Sequence, residues 1–267
     1  MPSFANLVRL AAPFAWERLR TYRSRFHDVG LPEAFAVRST MRAALLDTQL
    51  ELIPPTLRSG VKLAVDVGAN VGSWSIGIAN LTDARTIIAI EPAPDVFQHL
   101  KQNTSKHKNI QCLNSAIGAS EAADVEFRVE AVSAMSSLKK LTHRARSYHD
   151  LVDVEPKVVR VPLSNLDTLL ANHGEISLLK IDVQGGEREV LQGAAAVLKR
   201  TRVLVIEVLY CASYYEDAWD FDQIYRHITA TTPLRLWTVS EPHMAPDGTP
   251  MWADAVFVGA NEGPISR

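Results

Sequence analysis

The stretch DVGANVG, residues 66–72, decides the fold, because it stands where a predicted strand passes into a predicted helix. The strand is the apolar run 61–67, and the helix follows over 71–81. Gly68 allows the backbone to turn tightly and to approach a ligand, and Gly72 allows the helix to pack closely against the strand. Because ligands bind in the crevice at the carboxyl ends of parallel strands, this turn is predicted to border a binding site.

Strand and helix patterns alternate along the rest of the chain, which predicts an α/β fold with a mostly parallel sheet and helices on both faces. Apolar runs predict main strands over residues 61–67, 86–90, 110–117, 176–183 and 203–209. Helical patterns cover residues 71–81, 94–103, 187–198 and 217–230. Further strands are predicted over 125–129 and 158–163, and a terminal hairpin over 234–239 and 252–258. The polar connection over 131–157 is predicted to be long and irregular, as functional or mobile loops are.

The spacing of the two glycines distinguishes between two classes of ligand. The dinucleotide fingerprint is G-x-G-x-x-G, whereas this turn is G-x-x-x-G with Asn70 in place of the middle glycine. Asp66 stands two residues before the first glycine, where a carboxylate at the mouth of the turn would repel a pyrophosphate. The same carboxylate suits S-adenosylmethionine, which carries a sulfonium and an amino group. The turn therefore favours S-adenosylmethionine over NAD, and a turn that binds no ligand is the alternative.

Two more strand ends supply candidate contacts to this cofactor. Glu91 ends the second strand, and an acid there can accept hydrogen bonds from both ribose hydroxyls. Ser115 and Ala116 end the third strand, at a place in the crevice that should lie near the adenine. A surface carboxylate, or a serine that merely terminates a strand, would explain each feature without a ligand. We expect cofactor contacts because both features accompany the glycine turn.

Composition and charge place the chain among ordinary globular proteins. Of its 267 residues, 47% are hydrophobic and 22% are charged, and the net charge is −2. This slight acidity argues against nucleic acid as a partner. Charged residues interrupt the apolar residues near the N-terminus, so neither a secretory signal nor a transmembrane segment is predicted. We therefore expect a cytoplasmic protein.

The chain is predicted to comprise an N-terminal helical extension over residues 1–58 and a cofactor-binding domain over residues 59–267. Apolar residues recur at helical spacing near the N-terminus, and a second helical stretch over 32–52 ends before Pro54. We expect the first helix to pack on the main domain. A homodimer contact or a weak contact with a membrane surface is the alternative.

An ordered set of motifs along residues 60–260 resembles the FkbM family of methyltransferases. The first motifs are DVGANVGSW from Asp66, IEPAP from Ile90 and the run Ser136-Ser137-Leu138 in the polar connection. The later motifs are LDTL from Leu166, KIDVQGGEREVLQGA from Lys180 and IEV from Ile206. Each motif alone is common, whereas the ordered set is specific.

The resemblance implies an S-adenosylmethionine-dependent O-methyltransferase with a Rossmann-like class I methyltransferase fold. Its mostly parallel, seven-stranded sheet should end in the reversed hairpin predicted above. Acceptors in the family are hydroxyls of sugars, glycolipids and polyketide-type natural products, so a small-molecule acceptor is expected. The matched motifs add Ser73 and Ser137 to the candidate cofactor contacts. The chain departs from the family at Gln184, where glutamate is common, so no base or metal ligand is assigned there.

Methyl transfer to a hydroxyl requires an aligned oxygen and a base that removes its proton. Asp182 ends the fourth main strand beside the glycine turn, and Glu207 lies inside the apolar fifth strand, where a carboxylate needs partners. Both are candidate catalytic residues, and Asp182 is also a candidate cofactor contact, although it could instead cap the next helix. His143 and His149 in the polar connection are further candidate bases, because imidazole titrates near neutral pH, or they are simply solvated.

The predicted function is O-methylation of a sugar, glycoside or glycolipid, with a polyketide-type natural product as the alternative acceptor. No metal is expected, because Asp182 and Glu207 could bind magnesium through oxygen but the spacing supplies no third ligand. A catalytically silent protein that keeps the fold as a scaffold for a partner is the alternative from another class. The intact glycine turn and Glu91 argue against a silent protein.

Overall fold

Runs of Val, Ile and Leu form the strands of a central sheet, because branched side chains pack well on a pleated surface. The computed structural model of the chain describes Gln49 and residues 51–210, 214–245 and 247–260. The N-terminal helices and the dimer contact predicted for residues 1–58 lie almost wholly outside the described residues, of which a 3-10 turn over Pro55–Leu57 belongs to this part. Among the described residues, no helix is long and apolar enough to cross a membrane.

Strands and helices alternate along most of the described chain. The strands are β1 (Leu63–Val67), β2 (Thr86–Ile90), β3 (Ile110–Leu113), β4 (Ala116–Ile117), β5 (Ala122–Val129), β6 (Lys157–Ser164), β7 (Ile176–Ile181), β8 (Thr201–Leu209), β9 (Leu234–Val239), β10 (His243–Met244) and β11 (Pro250–Gly259). The helices are α1 (Ser73–Leu81), α2 (Pro94–Thr104), α3 (His143–Tyr148), α4 (Leu166–Leu169), α5 (Glu187–Gln192), α6 (Ala195–Lys199) and α7 (Phe221–Thr231).

The main sheet has the strand order β10-β11-β8-β7-β1-β2-β3, and β9 also pairs with β11. Strands β1, β2, β3, β7 and β8 are parallel, whereas β11 lies antiparallel to both β8 and β9. This order confirms the predicted Rossmann-like sheet with a reversed terminal hairpin. The prediction of seven strands is correct for the longer strands, and the two-residue β10 adds an eighth. The carboxyl ends of β1, β2, β7 and β8 therefore lie at one edge of the sheet.

The central strands β1 and β7 are buried along their whole length, as expected for parallel strands covered on both faces. Their apolar side chains pack against helices α5, α6 and α7 through Val190, Val197 and Ile224, among others. Asp66 and Lys180 are the charged residues within these two strands. Buried charges in such an apolar layer need each other or another partner, so this pair marks the candidate site.

The predicted third strand over 110–117 does not continue unbroken. It ends at Leu113, where the side-chain amide of Asn114 donates hydrogen bonds to the carbonyl oxygens of Glu91 (2.8 Å) and Pro92 (2.9 Å). After this break β4 pairs with β6, and a second, three-stranded sheet forms in the order β4-β6-β5. The two additional strands predicted over 125–129 and 158–163 thus belong to a separate sheet.

The predicted helix over 187–198 is divided into α5 and α6 at Gly193. The carbonyl of Gly118 approaches this glycine so closely that a Cβ there would lie 2.1 Å from its oxygen. The predicted helix over 217–230 begins instead at Phe221, because Asp220 accepts a hydrogen bond from the backbone of Gln223 and forms a capping box with it. Local capping and backbone contacts therefore correct the boundaries that periodicity predicts.

The connection over 131–157 is more ordered than its polar sequence predicts. It contains a 3-10 turn over Ser133–Met135 and the helix α3. Its apolar residues form a small core with Tyr214, Tyr215 and Leu209. The residues that the connection contributes to this core are Met135, Leu141, Ala145 and Leu151. The prediction of an irregular connection is therefore wrong for its packed part.

A buried ion pair ties this connection to β5, and breaking it is expected to destabilise the fold. Arg146 lies 3.0 Å from Glu130, whose side chain is 2% exposed. Arg146→Met should lower the free energy of unfolding by about 3–5 kcal/mol, because it leaves a buried carboxylate without its partner. The control is Arg160→Ala in the exposed pair with Asp124, which should cost at most about 1 kcal/mol. Urea unfolding measures both, and equal losses would contradict the prediction.

Candidate active site

The glycine turn brings the end of β1 against the end of β7. Gly68 has φ +78°, and a Cβ on it would lie 1.9 Å from the carbonyl oxygen of Asp182. Gly72 has φ +87°, and its missing side chain leaves room for Leu100 of α2. Asn70 also adopts a left-handed conformation, with φ +49°. The turn thus requires its two glycines for the reasons that the sequence indicates, namely tight turning and close packing.

Beneath this turn lies an ion pair between Asp66 and Lys180. Their strands pair in register, and the Nζ of Lys180 lies 3.4 Å from Oδ1 of Asp66. The other oxygen of Asp66 accepts a 2.7 Å hydrogen bond from Ser75, and the side chain of Asp66 is fully buried. Both oxygens of the Asp66 carboxylate thus have partners within the protein, one of them through strand pairing. Its contact with a cofactor stays a prediction.

Lys180 links this pair to Asp182 at the end of β7. Its Nζ lies 3.2 Å from Oδ2 of Asp182, whose side chain is 26% exposed. Burial disfavours the charged form of Lys180, but the charges of Asp182 and Asp66 outweigh burial and raise the pKa of Lys180 above its usual value. This lysine is a site residue that the sequence reasoning missed. A lysine within an otherwise apolar strand was the available signal.

At the end of β2, Glu91 holds the backbone of the glycine turn. Its carboxylate accepts 2.9 Å hydrogen bonds from the N–H groups of Asn70 and Ala93, one on each oxygen. Burial raises the pKa of Glu91 to about 7 despite these two bonds. Each oxygen retains a second lone pair for a further donor. These hydrogen bonds hold the Glu91 carboxylate beside the turn. Its contact with a ribose stays a prediction.

The three candidate serines differ in their surroundings. Ser115 donates to the carbonyl oxygens of Ala116 (2.8 Å) and Pro162 (3.2 Å), so its hydroxyl bonds within the second sheet. Ser137 is buried, and its hydroxyl donates to the carbonyl of Val183 at 3.2 Å. Ser73 is half-buried at the start of α1. The break after β3 therefore carries Ser115 and Ala116 into the second sheet, whereas Ser137 joins the polar connection to the segment after β7.

Gln184 connects the two carboxylates predicted as catalytic candidates. Its Nε2 donates to Oδ1 of Asp182 at 2.7 Å and to Oε2 of Glu207 at 2.9 Å. Its Oε1 accepts a 2.9 Å hydrogen bond from the hydroxyl of Tyr215. The structure therefore brings Asp182 and Glu207 together, through a glutamine to which the sequence assigned no role.

Glu207 lies half-buried in β8, opposite Asp254 of the antiparallel strand β11. Burial raises its pKa well above that of an ordinary glutamate, and the charges of Asp182, Glu187 and Asp254 raise it further, whereas Lys180 lowers it. Burial also raises the pKa of Glu187 to about 7. A carboxylate with a raised pKa is a stronger base once ionised, which suits it to accept a proton near neutral pH.

The histidines of the polar connection lie in different environments. His143 is exposed as the first residue of α3. His149 hydrogen-bonds through Nε2 to the hydroxyl of Tyr214, and its ring packs edge-on against that ring. His143 is thus placed as a solvated residue, whereas His149 belongs to an aromatic cluster that sequence reasoning did not foresee.

This aromatic cluster lies beyond the carboxyl end of β8. Trp252 pairs with Leu209 in the register that also pairs Asp254 with Glu207. The ring of His243 stacks on Trp252 with centroids 3.9 Å apart, and its Nε2 lies 3.2 Å from the hydroxyl of Tyr148. These polar and aromatic groups therefore border the carboxylates. The described residues contain no group of three or more His, Cys, Asp or Glu side chains that could hold a metal ion.

The strand order and the glycine turn define a Rossmann-like class I methyltransferase fold. The model of the Methyltransferase FkbM domain matches residues 66–232, more than half of the chain. The chain therefore belongs to the FkbM methyltransferase family, a class whose cofactor is S-adenosylmethionine.

Individual relatives are distant. Methyltransferase 1 of Beauveria bassiana is 26% identical over 143 residues, which cover 48% of this chain and 57% of the relative. The hexuronic acid methyltransferase AglP of Haloferax volcanii is 23% identical over 146 residues, which cover 54% of each chain. The crystal structure of an FkbM methyltransferase from Methylobacillus flagellatus matches with a TM-score of 0.48 at 16% identity, covering 74% of this chain and 44% of that chain. The match thus spans little more than half the length of these two curated relatives.

Proposed function

We propose that the chain is an S-adenosylmethionine-dependent O-methyltransferase whose acceptor is a hydroxyl of a sugar, glycoside or glycolipid. The observation that carries the proposal is the convergence of Glu91, Asp182 and Glu207 at one edge of the sheet, beside the glycine turn. The name of the hexuronic acid methyltransferase supports a sugar as the acceptor. A cytoplasmic location is part of the proposal, and a homodimer through the N-terminal segment remains the alternative to packing of that segment on the main domain.

The chemistry of the site fits this cofactor. Lys180 is flanked by Asp66 and Asp182, so carboxylates outnumber the lysine that neutralises them. Such an excess of negative charge favours a ligand with a sulfonium and an amino group. In the proposed complex Glu91 would hold the ribose hydroxyls, and the backbone of the glycine turn would border the amino acid part. The bound cofactor would supply an electrophilic methyl group on a good leaving group.

Glu207 is the base in the proposed reaction. Its carboxylate would accept the proton of the acceptor hydroxyl, and the bound cofactor would supply the methyl group, so that the products are a methyl ether and S-adenosylhomocysteine. Asp182 is paired with Lys180, and its proposed role is to orient the cofactor or the acceptor. Aromatic side chains bind apolar ring faces, so the cluster around Trp252 is the proposed acceptor side. The site would further accelerate methyl transfer by holding the cofactor and the acceptor hydroxyl in line.

Glu91→Ala is expected to weaken S-adenosylmethionine binding by about tenfold or more, which corresponds to about 1.4 kcal/mol. The variant removes the proposed ribose acceptor and frees the backbone N–H of Asn70 in the turn. Calorimetric titration of the purified chain with S-adenosylmethionine and S-adenosylhomocysteine measures the effect. Glu121→Ala, which changes an exposed glutamate before β5, is the control and should bind as the wild type does.

The same preparation tests the reaction class. Incubation with S-adenosylmethionine and hexuronic acids, neutral glycosides or polyketide alcohols should yield a methyl ether and S-adenosylhomocysteine from one of the carbohydrate acceptors. Product only from the polyketide alcohols would replace the proposed acceptor class. No binding of the cofactor by the wild-type chain, with NAD also tested, would support the silent scaffold instead.

A further inference from the structure

Gln184 occupies an unusual backbone position directly after the site strand β7. Its φ is +60°, and the following Gly185 has φ +91°. Side chains rarely adopt this left-handed region, so a glutamine there is strained. A Cβ on Gly185 would lie 2.5 Å from the ring of Tyr215, so the turn is shaped to admit that tyrosine. The backbone thus places the amide of Gln184 between Tyr215 and the carboxylates.

Every polar atom of the Gln184 amide has a partner, and the partners fix its orientation. The two N–H bonds point to acceptors, Asp182 at 2.7 Å and Glu207 at 2.9 Å, because an ionised carboxylate can only accept. The carbonyl oxygen faces the hydroxyl of Tyr215, which donates to it. A reversed amide would put its oxygen against two carboxylates. With both carboxylates ionised, as the proposed base must be in order to act, the arrangement therefore works in one direction only.

We propose that Gln184 is a positioning residue, which joins Asp182 and Glu207 into one hydrogen-bonded unit and holds Glu207 ready to accept the proton of the acceptor. This inference rests on the proposed function, in which Glu207 is the base. Gln184 contacts the base rather than the reacting atoms, so it acts through Glu207. The hydroxyl of Tyr215 in turn orients the amide.

Gln184 affects the pKa of Glu207, because its hydrogen bond favours the ionised form of that carboxylate. Burial and the charges of Asp182, Glu187 and Asp254 disfavour the ionised carboxylate of Glu207. Lys180 favours the ionised form, but its ion pairs are with Asp66 and Asp182 rather than with Glu207. A hydrogen bond donated to the ionised form opposes burial and lowers the pKa. Without Gln184, Glu207 should therefore remain protonated to a higher pH.

The test is Gln184→Met, which keeps the length of the side chain but donates no hydrogen bond. Loss of a bond to a charged group should move the acid limb of the kcat profile upward by about one to two pH units. A ¹³C NMR titration of glutamate-labelled protein, with the Glu207 signal assigned by its absence in Glu207→Gln, should show the same upward shift in the pKa of Glu207.

Two further variants keep the test decisive. Gln184→Glu replaces both donors by acceptors and should move the titration further in the same direction. Tyr215→Phe leaves the amide in place but removes the hydroxyl that orients it, so a smaller upward shift is expected even where the Gln184 variants fold poorly. Lower stability with an unmoved titration in these variants would overturn the inference. A shifted titration in a protein that transfers no methyl group would refute the proposed reaction and leave the positioning role intact.

Discussion

Glu207→Gln is expected to lower kcat by about 10²–10⁴-fold, the usual contribution of a positioned general base. The amide keeps the shape of the side chain and its place beside Gln184, but it cannot take up the proton of the acceptor. Cofactor affinity should stay close to that of the wild type, because the loss concerns the reaction step. Single-turnover assays with saturating S-adenosylmethionine measure the rate.

The pH dependence gives a second readout of the same variant. The wild-type rate should fall as the pH drops through the pKa of Glu207, because the base must be ionised to act, and burial places this loss at a higher pH than for an ordinary glutamate. The residual rate of Glu207→Gln should lack this acid limb. Glu187→Gln is the control, because Glu187 is another carboxylate of the site with a raised pKa, but it accepts a hydrogen bond from the backbone of Val183. If both variants lost the same fraction of kcat, the assignment of Glu207 as the base would be wrong.

Gly68→Ala is expected to abolish cofactor binding and to destabilise the fold by about 2–5 kcal/mol. A residue with a side chain at φ +78° costs about 1–2 kcal/mol, and forcing apart a packed contact costs about 1–3 kcal/mol more. The new Cβ would lie 1.9 Å from the carbonyl oxygen of Asp182, which is too close for two atoms that are not bonded. The ends of β1 and β7 would then have to separate.

Gly60 provides the matched control for this glycine. It has a similar φ, +68°, but a Cβ there would meet no atom within 4 Å. Gly60→Ala should therefore lose only the backbone cost of about 1–2 kcal/mol, with unchanged cofactor binding. Urea unfolding and calorimetric titration compare the two variants. If both alanines proved equally harmful, the close approach of the two strand ends would not be what the turn requires.

The sheet and the glycine turn were predictable because their signals are local. Apolar runs predict strands wherever both faces of the strand are buried, as in β1 and β7. The conformations of Gly68 and Gly72 follow from the turn that the spacing requires. Glu91 lies at the strand end where the sequence places it, because a proline stops β2 directly after it.

The contacts of the site could not be predicted to the same extent, because they depend on strand register. Asp66 and Lys180 are distant in sequence, and the pairing of β1 with β7 alone makes them neighbours. Gln184 likewise has two distant partners, one in β8 and one in the segment before α7, besides the nearby Asp182. Ser115 lies outside the main sheet because the Asn114 side chain bonds to the backbone after β2 and ends β3. The periodicity of the sequence does not show such a bond.

The connection between β5 and β6 has a consequence for how such an enzyme diversifies. It packs in a small core that it shares with Leu209, Tyr214 and Tyr215, and its links to the rest of the domain include the ion pair from Lys139 to Glu189 and the bridge from Leu141 to Tyr215. Substitutions on its outer side can therefore accumulate during evolution without disturbing the glycine turn or Glu91. Substitutions that shift Tyr215 would disturb its hydrogen bond to Gln184. The segment thus combines an outer surface that can tolerate substitution with an inner side that is tied to the candidate site.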